Sequence, residues 1–407
     1  MEVNLKVKFC GVTMPNPFVV AKVPPLGNLE VMAAQLAAGW GGVLLRNASL
    51  NAEPEKQTVS TWRFRTPIYR GVDYEDKRML DLGWIEPDSP ISLDDSEKAI
   101  RTLKEKFPDR VVIAGMVGTN RDEWLKVSRR LNQAGADIIE CDFSVKTDDP
   151  GGQKVPLAQD FKLLEKAARY VRDGARNTPV MIKLPGTLAA KAQTAEILKD
   201  AGADAINLFY EPKGIPGINL TNFVPFPNVG AKSALSAMGG AAVKPYTLAL
   251  LAEWGLAVRG LEISVLGGAY NWRDCVEYVL MGASLLQFHG AVLQRGEGLV
   301  EDLKSGVSDY LAEKMISSVD KLVGKSLPFL TTEEKLPRSG RIVAAIDDKL
   351  CTRCGICFRV CNGLGYFAIN MSAQRKPTID KKKCVGDGLC VAACPVVNCM
   401  SLRRLAK

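Results

Sequence analysis

The chain has 407 residues, of which 47% are hydrophobic and 24% charged, with a net charge of +8. That length suits two or three domains with a sizeable core. No apolar run nears the roughly 18 residues that cross a bilayer, and a modest basic excess fits a solvated surface or an acidic partner better than nucleic acid.

The first ten residues carry Lys6 and Lys8 and no apolar segment, so no signal peptide is expected. Up to about residue 320, short apolar runs alternate with amphipathic stretches. The run at 17–22 precedes a helical pattern at 29–39, and 42–47 leads into a long polar insertion. Runs at 111–118, 137–144, 179–185, 205–211, 261–268 and 284–290 precede helical patterns at 123–135, 161–175, 189–201, 243–254, 272–281 and 299–314. Near-continuous apolar strands linked by helices predict a parallel sheet covered on both faces. Eight such units predict an α/β fold, a (β/α)8 TIM barrel over residues 1–320. A doubly wound sheet is the rival. Gln133-Ala-Gly-Ala-Asp137 recurs as Asp200-Ala-Gly-Ala-Asp204, each where a helix ends and a strand begins, and its glycine suits a left-handed cap.

Residues 321–343 read as a polar linker. Eight of the eleven cysteines then crowd between Cys351 and Cys399, while Cys10, Cys141 and Cys275 stand apart. A secreted disulfide scaffold would spread its cysteines along a short chain. Reduced thiolates holding metal fit better and imply a cytoplasmic protein. The motifs are Cys351-x2-Cys354-x2-Cys357-x3-Cys361 and Cys384-x2-Asp387-x2-Cys390-x3-Cys394-Pro395. They predict a small α+β two-cluster ferredoxin-like domain over 344–407 holding two iron–sulfur clusters. In such modules the fourth cysteine of each run ligates the other cluster. Cys351, Cys354, Cys357 and Cys394 should share one cluster; Cys384, Cys390 and Cys361 should share the other. Zinc is the alternative for such pairs. Asp387 stands where a fourth thiolate would be. A carboxylate is a harder ligand, so the second cluster is expected to be 4Fe–4S with an oxygen corner, or 3Fe–4S. Cys399 is near enough in sequence to be a substitute ligand or simply a buried apolar residue.

The barrel followed by this tail resembles the dihydropyrimidine dehydrogenase family, whose barrel is dihydroorotate dehydrogenase-like. The residues that carry the resemblance are Gly39-Trp-Gly41, Lys183-Leu184, Val243-Lys-Pro245, Gly267-Gly268, Gly282-Ala-Ser284, Leu286-Gln287 and Cys394-Pro-Val-Val-Asn-Cys399. The resemblance implies FMN at the top of the barrel and addition of a hydride and a proton across a ring C=C bond. It also implies electrons arriving through the clusters from an NAD(P)H- and FAD-binding subunit or a ferredoxin, in a homodimer or hetero-oligomer. Ala21, Arg46, Lys183, Gly239, Gly240, Gly267, Gly268, His289 and Gly290 are the implied flavin contacts. The residues agree in part. Loops after strands 7 and 8 of such barrels bind phosphate, and here they are Gly267-Gly268-Ala269 and His289-Gly290-Ala291. Lys183 closes strand 5, where a cation near flavin N1 favours the reduced anion.

The departures fall on the substrate side. Arg46 replaces a family lysine, and Val145 stands at the family's acid cysteine. Asp81, Asp142 and Tyr210 fall where the family has substrate-binding asparagines. Carboxylates only accept hydrogen bonds, so Asp81 and Asp142 suit a ligand rich in donors rather than uracil or thymine. Lys146 and Tyr210 are then the candidate proton donors, with Lys154 and Lys213 on the same loops. A dihydroorotate-type oxidation would need a cysteine or serine base there; Ser144 is adjacent, but its side chain is expected to face away. The function expected is reduction of an activated C=C bond in a cyclic or conjugated substrate. The alternative is a catalytically degenerate electron-transfer or scaffold subunit. With no GxGxxG fingerprint, NAD(P)H is expected to bind another chain.

Overall fold

The apolar runs become a closed ring of parallel strands. The computed structural model describes residues 3–21, 28–52, 60–64, 81–85, 90–144, 146–148, 154–186, 188, 190–336 and 340–405. They divide into two units, with the break after Leu330. In the first unit the strands are β1 (Phe18–Val20), β2 (Gly42–Leu44), β3 (Val111–Met116), β4 (Ile138–Asp142), β5 (Val180–Pro185), β6 (Ala205–Phe209), β7 (Glu262–Leu266) and β8 (Leu285–Phe288). Each pairs in parallel with its sequence neighbour, β4 with β3 and β8 with β1 included, so the barrel closes. The helices are α1 (Leu29–Ala38), α2 (Leu93–Lys106), α3 (Arg121–Ala134), α4 (Phe161–Ala175), α5 (Lys191–Asp200), α6 (Lys244–Ala257), α7 (Trp272–Leu280) and α8 (Leu299–Glu313). Among the described residues, no helix is long and apolar enough to cross a membrane.

The repeated Ala-Gly-Ala-Asp phrase does the same work twice. Gly135 and Gly202 both have positive φ and end their helices. The aspartates that follow each accept from an N–H at the start of the preceding strand, within its first two residues: Asp137 from Val112 at 2.8 Å and Asp204 from Val180 at 2.7 Å. A cation from the preceding helix, Lys104 or Arg172, pairs with each of them.

The polar insertion after β2 contains α2, which the sequence reading passed over. Its Ser92 cap accepts from Asp95 N–H, acidic residues fill the first turn and basic ones the last, and Leu93, Ser96, Ile100 and Leu103 face inward. Those are ordinary helix start and stop signals. The stretch read as a linker is also partly built into its neighbours. Leu322 is buried in the barrel core and Leu327 packs against Gly255, while Ile342 already lies in a strand of the second unit. Above the barrel, Lys213–Gly214, Ser236–Gly239, Asp81–Ile85 and Ser60–Phe64 form an antiparallel four-stranded sheet.

The second unit has two antiparallel pairs. Strand β9 (Ile342–Ile346) pairs with β12 (Met400–Arg404), and β10 (Ile369–Met371) with β11 (Pro377–Ile379). Helices α9 (Ile356–Gly363) and α10 (Leu389–Ala392) follow the two cysteine loops.

Candidate active site and cluster sites

A polar layer lies inside the barrel beneath its C-terminal face. Asn207 Nδ2 and Gln287 Nε2 donate to Glu140 Oε2 at 2.7 and 3.0 Å, and Gln287 also reaches Ser264 Oγ at 3.2 Å. All four residues are buried. Buried polar groups cost free energy unless they are paired, so a carboxyl inside an apolar strand was a readable sign of a site. The sequence reading did not use it.

Above this layer opens a cavity of about 370 Å³, in the range of ligand pockets. Its wall includes Ala21, Arg46, Lys183, Gly239, Gly240, Gly267, Gly268, His289 and Gly290, together with Asp142 and Tyr210. It also takes in residues the sequence did not single out: Asn47, Trp84, Phe209 and Met238. Trp84 comes from the overlying sheet, lies edge-on to His289 with ring centroids 6.1 Å apart, and occupies the space a side chain at Gly239 would need. Tyr210 stacks on Tyr246 at 5.4 Å.

The glycines after β7 fit a bound phosphate. At Gly268, φ is +87° and a Cβ would fall 2.6 Å from both Lys244 Cα and Tyr278 Oη, so only glycine brings the chain this close. Tyr278 donates to Gly267 O at 2.8 Å, and Lys244 pairs with the buried Asp274. The loop is thereby fixed with its small residues against the cavity. Lys183 Nζ is 2.9 Å from Asp142 Oδ2 and 4.6 Å from the Phe209 ring centroid. These are the residues that would hold FMN.

Two expectations for the acidic residues change. Asp142 is already engaged: Lys183 and Asn47 Nδ2 (3.4 Å) reach Oδ2, while the N–H (3.0 Å) and hydroxyl of Ser144 reach Oδ1. Both of its carboxylate oxygens therefore already accept from the protein. Asp81 is not on the cavity wall. Its Oδ1 accepts from Ala242 N–H at 2.7 Å, which ties the overlying sheet to the turn leading into α6. Ser144, expected to face away, lines the cavity. Val145 lies outside the described residues. Lys146 opens a short strand (Lys146–Asp148) paired with Lys154–Pro156; the side chains of both lysines lie outside the described residues.

Burial holds the His289 imidazole down at about 4, from the ordinary 6.5. The unfolded chain takes up a proton near 6.5 and the native one only near 4, so native stability is lost as pH falls through that window. Between pH 7.5 and 5 the flavin-free protein should lose about 2 kcal/mol from this residue. Denaturant titrations should show His289→Asn without that loss; an identical pH slope in the variant would refute it.

In the second unit, Cys351, Cys354, Cys357 and Cys394 line one small cavity. Cys361, Cys384, Asp387 and Cys390 line another. This is the crossed partition that two-cluster modules use. Cys361 Sγ accepts from Ala368 N–H at 3.3 Å and Cys384 Sγ from Ala344 N–H at 3.4 Å, bonds that favour thiolate ligands. Cys399 lines the Cys351 cavity, not the one with Asp387. As a substitute ligand for Asp387 it is on the wrong side. Burial, with Cys394 beside it, pushes its thiol up to about 12.

A parallel barrel with a glycine-lined cavity, followed by a module for two clusters, defines an iron–sulfur flavoprotein oxidoreductase acting on CH–CH bonds. The comparisons with known proteins agree. Residues 93–311 match the dihydroorotate dehydrogenase family model and residues 344–402 the 4Fe-4S dicluster domain. The NAD-dependent dihydropyrimidine dehydrogenase subunit PreA of Escherichia coli (strain K12) is 32% identical over 402 residues, 98% of this chain and 95% of that protein. The chloroplastic dihydropyrimidine dehydrogenase (NADP(+)) of Arabidopsis thaliana is 27% identical over 82% of this chain and 80% of its own length. The catalytic subunit of dihydroorotate dehydrogenase B (NAD(+)) of Pyrococcus abyssi is 27% identical over 79% of this chain and 99% of its own. The chain belongs to the dihydroorotate dehydrogenase family, in the dihydropyrimidine dehydrogenase group that carries the dicluster tail.

Proposed function

We propose that this protein reduces an activated C=C bond in a planar cyclic or conjugated substrate other than uracil or thymine, with Ser144 supplying the proton. The observation that carries this reading is Ser144 on the cavity wall, its hydroxyl bonded to Asp142, which is itself paired with Lys183. FMN bound here supplies the hydride. Ser144 turns its hydroxyl from Asp142 to the substrate carbon next to the one reduced, and solvent at the cavity mouth restores the proton. Asp142 and Lys183 hold the serine in place. The cavity wall offers Trp84, Phe209, Tyr210 and Met238 to a flat apolar ring, and the engaged Asp142 offers no free edge to a pyrimidine. The open cavity argues against a degenerate scaffold.

Electrons enter through the two clusters, the second with Asp387 as its fourth ligand, from an NAD(P)H- and FAD-binding subunit or a ferredoxin in the cytoplasm. The E. coli relative, named as a subunit of an NAD-dependent enzyme, supports such a partner.

The test uses anaerobic protein reduced by dithionite and mixed with 2-cyclohexen-1-one, uracil, thymine and orotate. Near-stoichiometric FMN and flavin reoxidation fastest with the cyclic enone are expected. Absence of flavin, or uracil as the fastest acceptor, would sink the reading.

A further inference from the structure

The second unit repeats itself, so one half is a control for the other. Cys354 is followed by Gly355, in the left-handed region with φ 79° and ψ 5°, which opens α9. Asp387 is followed by Gly388, with φ 77° and ψ 0°, which opens α10. The backbone therefore carries Asp387 at the second site as it carries Cys354 at the first, and both residues are exposed. Asp387 shares its cavity with Cys361, Cys384 and Cys390, and its Oδ1 accepts from Leu389 N–H at 3.1 Å. Cys399, the remaining thiol, is at the other cavity. Among the described residues no fourth sulfur lines the second site.

We infer that the Asp387 corner is an exchangeable metal site: its iron leaves on mild oxidation and another divalent transition metal takes its place, while the other irons stay. This rests on the reading of Asp387 as the fourth ligand. The two loop thiolates, Cys384 and Cys390, and the crossing Cys361 keep their irons. The fourth iron has a harder oxygen donor, and thiolate is the softer partner that iron in a sulfide cube prefers. Exposure gives a chelator access to that corner, and of the two exposed corners it is the one without a thiolate. The balance is simple. A 4Fe–4S cube of charge +2 gives one electron to the oxidant and one Fe2+ to the chelator, leaving a 3Fe–4S core of charge +1. One electron from a reductant and one divalent ion rebuild a cube of charge +2.

The full chain, purified anaerobically with both clusters, is treated with ferricyanide and EDTA, then with dithionite and Co2+. Iron and sulfide analysis with electron paramagnetic resonance should show one iron lost per chain, sulfide unchanged and a single three-iron signal. One cobalt should then be taken up. In Asp387→Cys the loss should slow at least tenfold. Asp387→Ala should arrive already lacking that iron. Retention of all iron by the wild type, equal loss from both clusters, or loss from Asp387→Cys at the wild-type rate would overturn the inference. An Asp387→Ala protein that keeps its iron as the wild type does would instead overturn the carboxylate ligation on which it rests.

Discussion

Ser144→Ala should slow substrate-linked reoxidation of the flavin by roughly 10²- to 10⁴-fold, the usual contribution of a positioned proton donor. Reduction of the flavin by dithionite should be unchanged, since Ser144 acts on the substrate and not on electron entry. FMN content should also be unchanged, because the glycines after β7 and Lys183 are untouched. Ser144→Cys restores a donor at the same atom position and should recover part of the rate with a shifted pH profile. A solvent deuterium isotope effect should accompany the wild-type step and disappear into a slower, solvent-protonated one in the alanine variant. A rate within threefold of wild type would move the proton donor elsewhere, with Tyr210 next on the wall.

How far the site could be read beforehand depended on how local its geometry is. The barrel strands were legible because a parallel strand buried on both faces is an apolar run, as at Val111–Met116 and Leu285–Phe288. The two sets of residues that share a cavity in the second unit were legible because three of each four sit on one loop. The glycines on the cavity wall after β7 and β8 follow those strands closely, so the strand ends place them.

The direction of the Ser144 side chain was not legible. The residue stands just beyond β4, where strand alternation no longer says which way a side chain points. Asp81 hydrogen-bonds a residue 161 positions away, and Asp142 meets Lys183 across 41 and Asn47 across 95. Matching each to a family asparagine named a position but not a partner. Cys399 is close in sequence to Cys394 and to Asp387 alike; only the pairing of β9 with β12 decides which cluster it flanks.

Lys183→Met should cost the protein about 3–5 kcal/mol in denaturant unfolding, the penalty for stranding one partner of a buried ion pair. Asp142 is 4% exposed, so the substitution takes a charged partner away from a buried carboxylate. The cost is therefore that of removing one partner from a buried pair, not the net worth of the pair. The combined variant Asp142→Asn, Lys183→Met removes both charges and should recover most of the loss, giving a strong coupling between the two positions. The functional effect should separate from the structural one. A cation beside the flavin ring favours its reduced anion, so the double variant, though folded, should hold FMN at a more negative potential than wild type. Recovered stability with an unchanged potential would leave Lys183 as a barrel-top ion pair and take it out of the flavin site. A single variant within 1 kcal/mol of wild type would show that the Asp142–Lys183 contact does not carry the charge balance of this cavity.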